Sequence, residues 1–249
     1  MDDFALAWGV MYLNLSNEVN FSGVPVSDED LTLIIPRLGL RGSFSHPFEN
    51  GGRSYWSVGA FSDLSTSDNS ELEAQREGVE KGFFGTQLSF TSFQPIEWSF
   101  LNGGLQFKYG IQFSPDALPL TMQKSLGGMH SMRGYEEREA YGDRGFNFTV
   151  EYRLNPTEAD LLGLKGRFQP LFFYDTGGLE SHTDSDLFDS QTELETYENS
   201  ISMQSLGAGV LGNFNGVADL NFQVGVPLNA TSTTSKYSPR VHLGLNLRF

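Results

Sequence analysis

Apolar and polar residues alternate at every second position in several segments of this chain. The clearest segment runs from Gly145 to Leu154, and the same period returns from Ala218 to Val226 and from Arg240 to Phe249. A period of two sends successive side chains to opposite faces of a β-strand, so these segments are predicted as strands with one apolar face. Further strands are predicted at Phe4–Leu13, Leu31–Phe44, Ser54–Phe61, Phe84–Ser92, Leu105–Phe113, Phe168–Thr176 and Ile201–Leu211. The chain is therefore predicted to be all-β, with about ten strands.

The connections between these predicted strands are alternately long and short. The long ones are Ser16–Asp30, Ser65–Glu80, Ser114–Arg144, Leu179–Asn199 and Asn229–Pro239. The short ones are His46–Arg53, Gln94–Glu97 and Gly212–Gly216, with Asn155–Lys165 intermediate. Outer-membrane barrels combine tight periplasmic turns with extended extracellular loops, so the pattern predicts a transmembrane antiparallel β-barrel with both termini on the periplasmic side. The alternative, a soluble β-sandwich, would carry charge rather than Phe and Leu on its outer face.

The composition permits a barrel and excludes several other classes. No stretch approaches the roughly 18 apolar residues of a membrane helix, whereas the mean hydropathy of -0.29 suits strands that are apolar at every second position. The absence of cysteine excludes disulfides, and a net charge of -15 argues against nucleic acid as a partner. The first residues lack the features of a signal peptide, so we expect an exported protein to have been trimmed upstream of Met1.

Motifs for catalysis or metal binding are not found in the sequence. It contains no Gly-x-Ser-x-Gly elbow, no His-Glu-x-x-His and no phosphate-binding glycine loop. The four histidines, which lie in different predicted segments without metal-ligand spacing, are His46, His130, His182 and His242. An acidic loop could hold calcium but lacks the glycine-punctuated spacing of a dedicated site; its carboxylates are Asp184, Asp186, Asp189, Glu193 and Glu195. We therefore expect no enzymatic activity, no metal and no cofactor.

One long connection carries a more specific signal. It contains Arg133-Gly134-Tyr135 and ends in Gly142-Asp143-Arg144-Gly145, after which the next strand carries Glu151. The following strand carries Phe173-Tyr174-Asp175-Thr176-Gly177. In this order the motifs resemble those of the two-partner secretion transporters (TpsB) and their outer-membrane assembly relatives. In that superfamily an Arg-Gly-Tyr or Arg-Gly-Phe element lies at the tip of a large loop, usually after a branched residue where this chain has Met132.

The resemblance implies a site inside the barrel. Alternation places Glu151 and Asp175 on the face away from lipid, and the resemblance implies that Arg133 returns to these carboxylates at the inner wall. Phe173 and Gly177, together with Gly142, Asp143 and Gly145, are the matching motif residues of the adjacent strands. We therefore expect Arg133 to be held by Asp175, with Glu151 as a second acidic partner.

The last predicted strand resembles an assembly signal. An alternating apolar face ends on a terminal aromatic residue; its members are Val241, Leu243, Leu245, Leu247 and Phe249. Such a strand resembles the signal read by the outer-membrane assembly machinery. A last barrel strand needs the same alternation for structural reasons alone, so only Phe249 favours the signal.

The resemblance also implies a function and a partial architecture. Members of this superfamily carry periplasmic POTRA domains before a barrel of sixteen strands, so residues 1–249 are expected to form one barrel domain, without a POTRA domain and with its motif loop at 114–145. Further strands or a second copy would then complete the barrel. The expected function is to move or insert protein at the bacterial outer membrane without catalysis, with membrane lipid, the assembly machinery and a secreted polypeptide as partners. The alternative is a short barrel that acts as a pore, anchor or oligomeric scaffold.

Overall fold

The computed structural model describes residues 3–21, 24–47, 51–65, 67–98, 101–161, 164–182 and 200–248. Its strands are β1 Asp3–Phe21, β2 Val24–Ser45, β3 Arg53–Ser62, β4 Phe84–Trp98, β5 Leu101–Phe113, β6 Lys124–Leu126, β7 Ala140–Gly142, β8 Arg144–Leu154, β9 Thr157–Leu161, β10 Leu164–Glu180, β11 Ser200–Phe214, β12 Ala218–Pro227 and β13 Arg240–Leu247. A short helix, α1, spans Asn69–Gln75.

The main sheet is antiparallel and follows the order of the chain. Its path runs β1-β2-β3-β4-β5-β8-β10-β11-β12-β13, while β9 pairs with β10 and the short strands β6 and β7 form a separate pair. The predicted all-β antiparallel architecture of about ten strands is therefore confirmed. Each strand pairs with a neighbour that is close in sequence, since hairpin connections join antiparallel strands directly. Within the described residues, no helix has the length and apolarity needed to cross a membrane.

The two faces of the sheet differ in the way that alternation predicts. On β8 and β10, Phe146, Phe172 and Tyr174 point outward and are 43%, 54% and 38% exposed. Their neighbours Glu151 and Asp175 point to the opposite face and are 2% and 0% exposed. We call these the outer and inner faces. An outer face of exposed aromatic and aliphatic side chains is what lipid requires, and it argues against a soluble sandwich.

Several strands are longer than predicted. The predicted loop Ser16–Asp30 is wrong, because β1 and β2 remain paired as far as Phe21 and Val24, with Ser16 opposite Asp30. The turn predicted at Gln94–Glu97 is also wrong, since these residues pair with Leu105–Asn102. Backbone hydrogen bonds continue an antiparallel ladder whether or not the side chains alternate in polarity. Hydropathy therefore marks only the part of a strand that faces an apolar environment.

Two predicted connections contain further elements of structure. Residues 65–80 include α1, whose first turn is closed by a hydrogen bond of 3.3 Å from the Asp68 backbone N–H to the Glu71 carboxylate. Residues 155–165 include β9. The helix packs on an apolar region of the inner face, with buried members Leu31, Leu33, Ile35, Phe61, Leu72, Val79, Phe83, Leu118 and Met122. This part of the inner face is therefore filled by loop side chains.

The two strands at the ends of the path are the most exposed. Outward side chains of β1 and β13 include Trp8 at 81% and Leu243 at 66% exposed. Among the residues that the structure describes, no register pairs β1 with β13. Completion of the sheet by further strands or by a second copy stays a prediction.

Candidate functional site

The central loop, residues 114–145, folds back onto the inner face. Its two arms are joined by the β6–β7 pair, with Lys124 opposite Gly142 and Leu126 opposite Ala140. The tip is turned by glycines in the left-handed region, among them Gly128 with φ 86° and Gly134 with φ 103°. The sequence Arg133-Gly134-Tyr135 therefore lies in a tight turn pressed against the strands.

Arg133 binds Asp175 on β10 through both of its carboxylate oxygens. The guanidinium donates from Nε to Oδ2 at 2.8 Å and from Nη2 to Oδ1 at 2.7 Å, and the backbone N–H of Arg133 also donates to Oδ2 at 3.1 Å. Thr149 on β8 donates to Oδ1 at 2.9 Å. The carboxylate thus accepts four hydrogen bonds, and the fork of the guanidinium fits it in a way that a lysine could not.

The third guanidinium nitrogen, Nη1, donates hydrogen bonds to side chains of two further strands. Nη1 donates to Glu151 on β8 at 2.6 Å and to Gln223 on β12 at 2.8 Å. The guanidinium carbon also lies 3.4 Å from the centre of the Phe173 ring, which gives a cation–π contact. One arginine of the loop therefore contacts three strands of the inner face.

Tyr135 and Gly134 fix the rest of the tip. Tyr135 is fully buried, and its hydroxyl oxygen lies 2.9 and 3.1 Å from the backbone carbonyl oxygens of Gln204 and Asn229, between which its single hydrogen is shared. The Gly134 backbone N–H donates to Nε2 of His242 on β13 at 3.3 Å. The three motif residues are thus bound to β8, β10, β11, β12 and β13, or to the connections between them.

Glycines on the strands allow the tip to approach this closely. A Cβ placed on Gly225 of β12 would lie 2.5 Å from the Gly134 nitrogen, and one on Gly177 of β10 would lie 3.2 Å from the sulfur of Met132. Both distances are shorter than ordinary van der Waals contact. The glycine of the Phe-x-Asp-x-Gly motif therefore makes room for the loop.

A second ion pair lies at the base of the loop. Arg76, which follows α1, donates from Nη1 and Nη2 to the two oxygens of Asp143 at 2.6 and 2.8 Å. Asp143 is fully buried and also accepts from the backbone N–H groups of Leu118 and His182 and from the Gln123 side chain. Burial alone would raise the pKa of Asp143, but these hydrogen bonds outweigh burial and lower the pKa below its ordinary value. This carboxylate therefore joins three connections of the sheet: the β3–β4 connection through Arg76, the central loop through Leu118, and the segment after β10 through His182.

The predicted motif residues occupy distinct places in this arrangement. Gly142 ends β7, and Gly145 lies where a Cβ would meet the backbone of Gly178 and the side chain of Leu179. Val241, Leu243, Leu245 and Leu247 form the outward row of β13, while Phe249 lies outside the described residues. The carboxylates Asp184, Asp186, Asp189, Glu193 and Glu195 also lie outside the part of the chain that the structure describes.

The four histidines occupy different places in the structure. His46 contacts Gln94 and Ser54, His182 binds Asp143 through its backbone, and His242 accepts from Gly134. His130 lies in the central loop. Within the described ranges, no group of three or more histidine, aspartate or glutamate side chains could hold a metal ion.

Sequence reasoning missed Gln223, His242 and Arg76. Gln223 and His242 stand on the polar faces of alternating strands, so their inward direction was readable from the pattern, but their contacts with the loop were not. Arg76 follows a helix that the alternation did not indicate.

Comparison with known proteins agrees with these features. Residues 46–235 match the family model described as haemolysin secretion/activation protein ShlB/FhaC/HecB. The chain is 24% identical over 237 residues to the heme/hemopexin transporter protein HuxB of Haemophilus influenzae (strain 86-028NP), an alignment that covers 86% of this chain and 38% of that protein. It also superposes on the solved structure of CdiB from Escherichia coli with a TM-score of 0.71 and 19% identity, covering 97% of this chain and 41% of that one. The chain therefore spans about two fifths of the length of these relatives and shares the fold of CdiB.

Proposed function

Because this chain belongs to the ShlB/FhaC/HecB family of haemolysin secretion/activation proteins, whose members are transporters of the Gram-negative outer membrane, we propose that it helps to move a polypeptide across or into that membrane. Residues 1–249 supply the barrel domain of this activity, with the motif loop at 114–145 and no POTRA domain within them. The partner is a secreted polypeptide, and membrane lipid surrounds the outer face. The outer-membrane assembly machinery inserts the barrel by reading β13 and Phe249.

The binding of Arg133 at the inner face carries this proposal. Its guanidinium makes four hydrogen bonds with Asp175, Glu151 and Gln223. The tip of the loop is held by these polar contacts and by a small apolar cluster that includes Met132 and Tyr135. We propose that it can be released without unfolding the strands, since the polar contacts can be exchanged for water or for groups of a passing chain. The central loop thus controls the space along the inner face.

Transport by this site requires no chemistry on the polypeptide. The inner face around Arg133 offers hydrogen-bond donors and acceptors, and we propose that binding and folding of the polypeptide drive its movement rather than catalysis. No cofactor is needed for this mechanism.

The proposal is tested by secretion from cells that produce the protein. Polypeptides that reach the medium only in the presence of the wild-type protein are identified first, and their amount is then measured with Arg133→Ala. We expect strongly reduced secretion after the secreted amount has been divided by the amount of the protein in the outer membrane of the same cells. Arg248→Ala is a matched control, because Arg248 lies outside residues 114–145 and forms a partly exposed pair with Asp219.

Two outcomes contradict the proposal. The first is that no polypeptide depends on the wild-type protein for its release. The second is that Arg133→Ala and Arg248→Ala secrete equally well.

A further inference from the structure

A small polar pocket lies beside the tip of the central loop. Its volume is about 90 Å³, and it is enclosed by loop residues 129–131 on one side and by strands of the inner face on the other. The strand residues in its wall include Lys108 on β5, Thr149 and Arg153 on β8, and Asn221 on β12. Because a water molecule occupies about 30 Å³ of liquid volume, the pocket has room for a few waters or for one small ion.

The carboxylates around the pocket are already engaged by donors. Both oxygens of Glu151 are occupied, Oε1 by Arg153 at 2.6 Å and Oε2 by Arg133 at 2.6 Å. The Asp175 carboxylate is occupied by Arg133 and Thr149. No carboxylate oxygen at this site is left without a donor.

Lys108 stands in this wall. It lies directly opposite Thr149 in the β5–β8 register and is half-buried. Among the described residues, its ammonium group makes no hydrogen bond or ion pair. Lys108, Arg133 and Arg153 thus face two carboxylates, so the site carries one positive charge in excess.

We propose that this pocket binds a small oxyanion or a carboxylate group, with Lys108 as its principal ligand. An anion supplies the acceptor oxygens and the negative charge that the site lacks, and a partly desolvated ammonium gains more from such a partner than an exposed one does. Arg153 on the next strand presents a second cation to the same space. The negatively charged group can come from two sources, a free anion or an acidic side chain of the transported polypeptide. The second source rests on the proposed function.

The first test is a thermal stability titration with sodium phosphate at constant ionic strength, balanced with sodium chloride. For the wild-type protein in detergent we expect a saturable rise in Tm of about 2–4 °C when phosphate exceeds its dissociation constant about fivefold. Lys108→Met abolishes this rise, and Lys108→Arg, which keeps the cation, retains it. The control is Lys124→Met, which removes a half-buried lysine of β6 outside the pocket and keeps the full rise.

Phosphate also stabilises proteins by exclusion from their surface, and that effect does not depend on Lys108. An equal rise in Tm in the wild type and the three variants, or no rise in Tm in the wild type, therefore overturns the proposal.

The second test separates the two sources. N-acetylglutamate amide and N-acetylglutamine amide are titrated under the same conditions as the phosphate. If the glutamate compound stabilises the wild-type protein and the glutamine compound does not, and if Lys108→Met loses this stabilisation, acidic side chains are ligands of the site. A response to phosphate without a response to the glutamate compound identifies a site for free anions. Neither result depends on secretion, so failure of the transport proposal is measured separately.

Discussion

Arg133 and Asp175 are joined by two parallel hydrogen bonds of 2.8 and 2.7 Å although they lie 42 residues apart in the chain. Their side chains are only 5% and 0% exposed. In such an environment the pair is poorly screened, and loss of one partner leaves the other charge buried. The attachment of the loop to the inner face therefore depends strongly on this pair.

The first prediction is that the two residues are energetically coupled. Arg133→Ala is expected to destabilise the protein by about 3–5 kcal/mol, because it leaves Asp175 buried without a cation and removes one of the two arginines that bind Glu151. Thermal unfolding of Arg133→Ala, Asp175→Ala and the double variant measures the coupling. Arg133→Lys is expected to restore only part of the stability, since an ammonium cannot form both bonds. Additive effects in the double variant would show that the pair does not hold the loop.

The second prediction concerns the close approach of the loop to β12. Gly225→Ala places a methyl group 2.5 Å from the backbone of Arg133 and Gly134, so the tip must shift at a cost of about 1–3 kcal/mol. We expect a lower Tm and faster proteolysis of the central loop. Gly244→Ala on β13 is the matched control, because the nearest atoms to its methyl group are 3.7 Å away. Equal behaviour of the two variants would mean that the tip does not rest on Gly225.

The third prediction is a dependence of loop stability on pH. The pKa of Asp143 is lowered in the folded protein from its ordinary value of 3.8, so its contribution is complete above about pH 4 and is lost as the pH falls through the lowered pKa. We expect Asp143→Asn to destabilise the loop by about 2–3 kcal/mol at neutral pH, with a smaller difference from the wild type in strong acid. Limited proteolysis of the loop as a function of pH measures this difference.

Asp116→Asn is the control for the third prediction. Asp116 lies in the same loop but is exposed, and it accepts a hydrogen bond of 2.9 Å from the Phe84 backbone N–H. Its replacement is expected to have a smaller effect on the stability of the loop at neutral pH. A difference between Asp143→Asn and the wild type that stays constant down to pH 2 would contradict the third prediction.

The fourth prediction concerns the C-terminal assembly signal. Deletion of Phe249 is expected to reduce insertion into the outer membrane in cells, with little effect on spontaneous folding in detergent, because one terminal aromatic residue contributes only part of the stability of the sheet. Membrane fractionation and refolding yields measure the two effects. A similar loss in both assays would mean that Phe249 is structural and is not read during assembly.

The sequence by itself determined the fold class, the direction of most side chains and the identity of the motif residues. Alternation is a local property, because successive residues of a strand point to opposite faces whatever the strand pairs with. It therefore placed Glu151 and Asp175 inside and Phe172 and Tyr174 outside. The motifs that include Arg133 added the expectation that the loop returns to these carboxylates.

Only the tertiary structure decided how strands continue and which distant residues meet. The pairing of Ser16 with Asp30 depends on backbone hydrogen bonds, which leave no mark in hydropathy. Gln223 lies 90 residues from Arg133, His242 lies 108 residues from Gly134, and Arg76 lies 67 residues from Asp143. Such contacts are set by strand register and by the path of the loop across the inner face. A local pattern gives the face of each residue, but the partner across that face depends on the register of every strand between them.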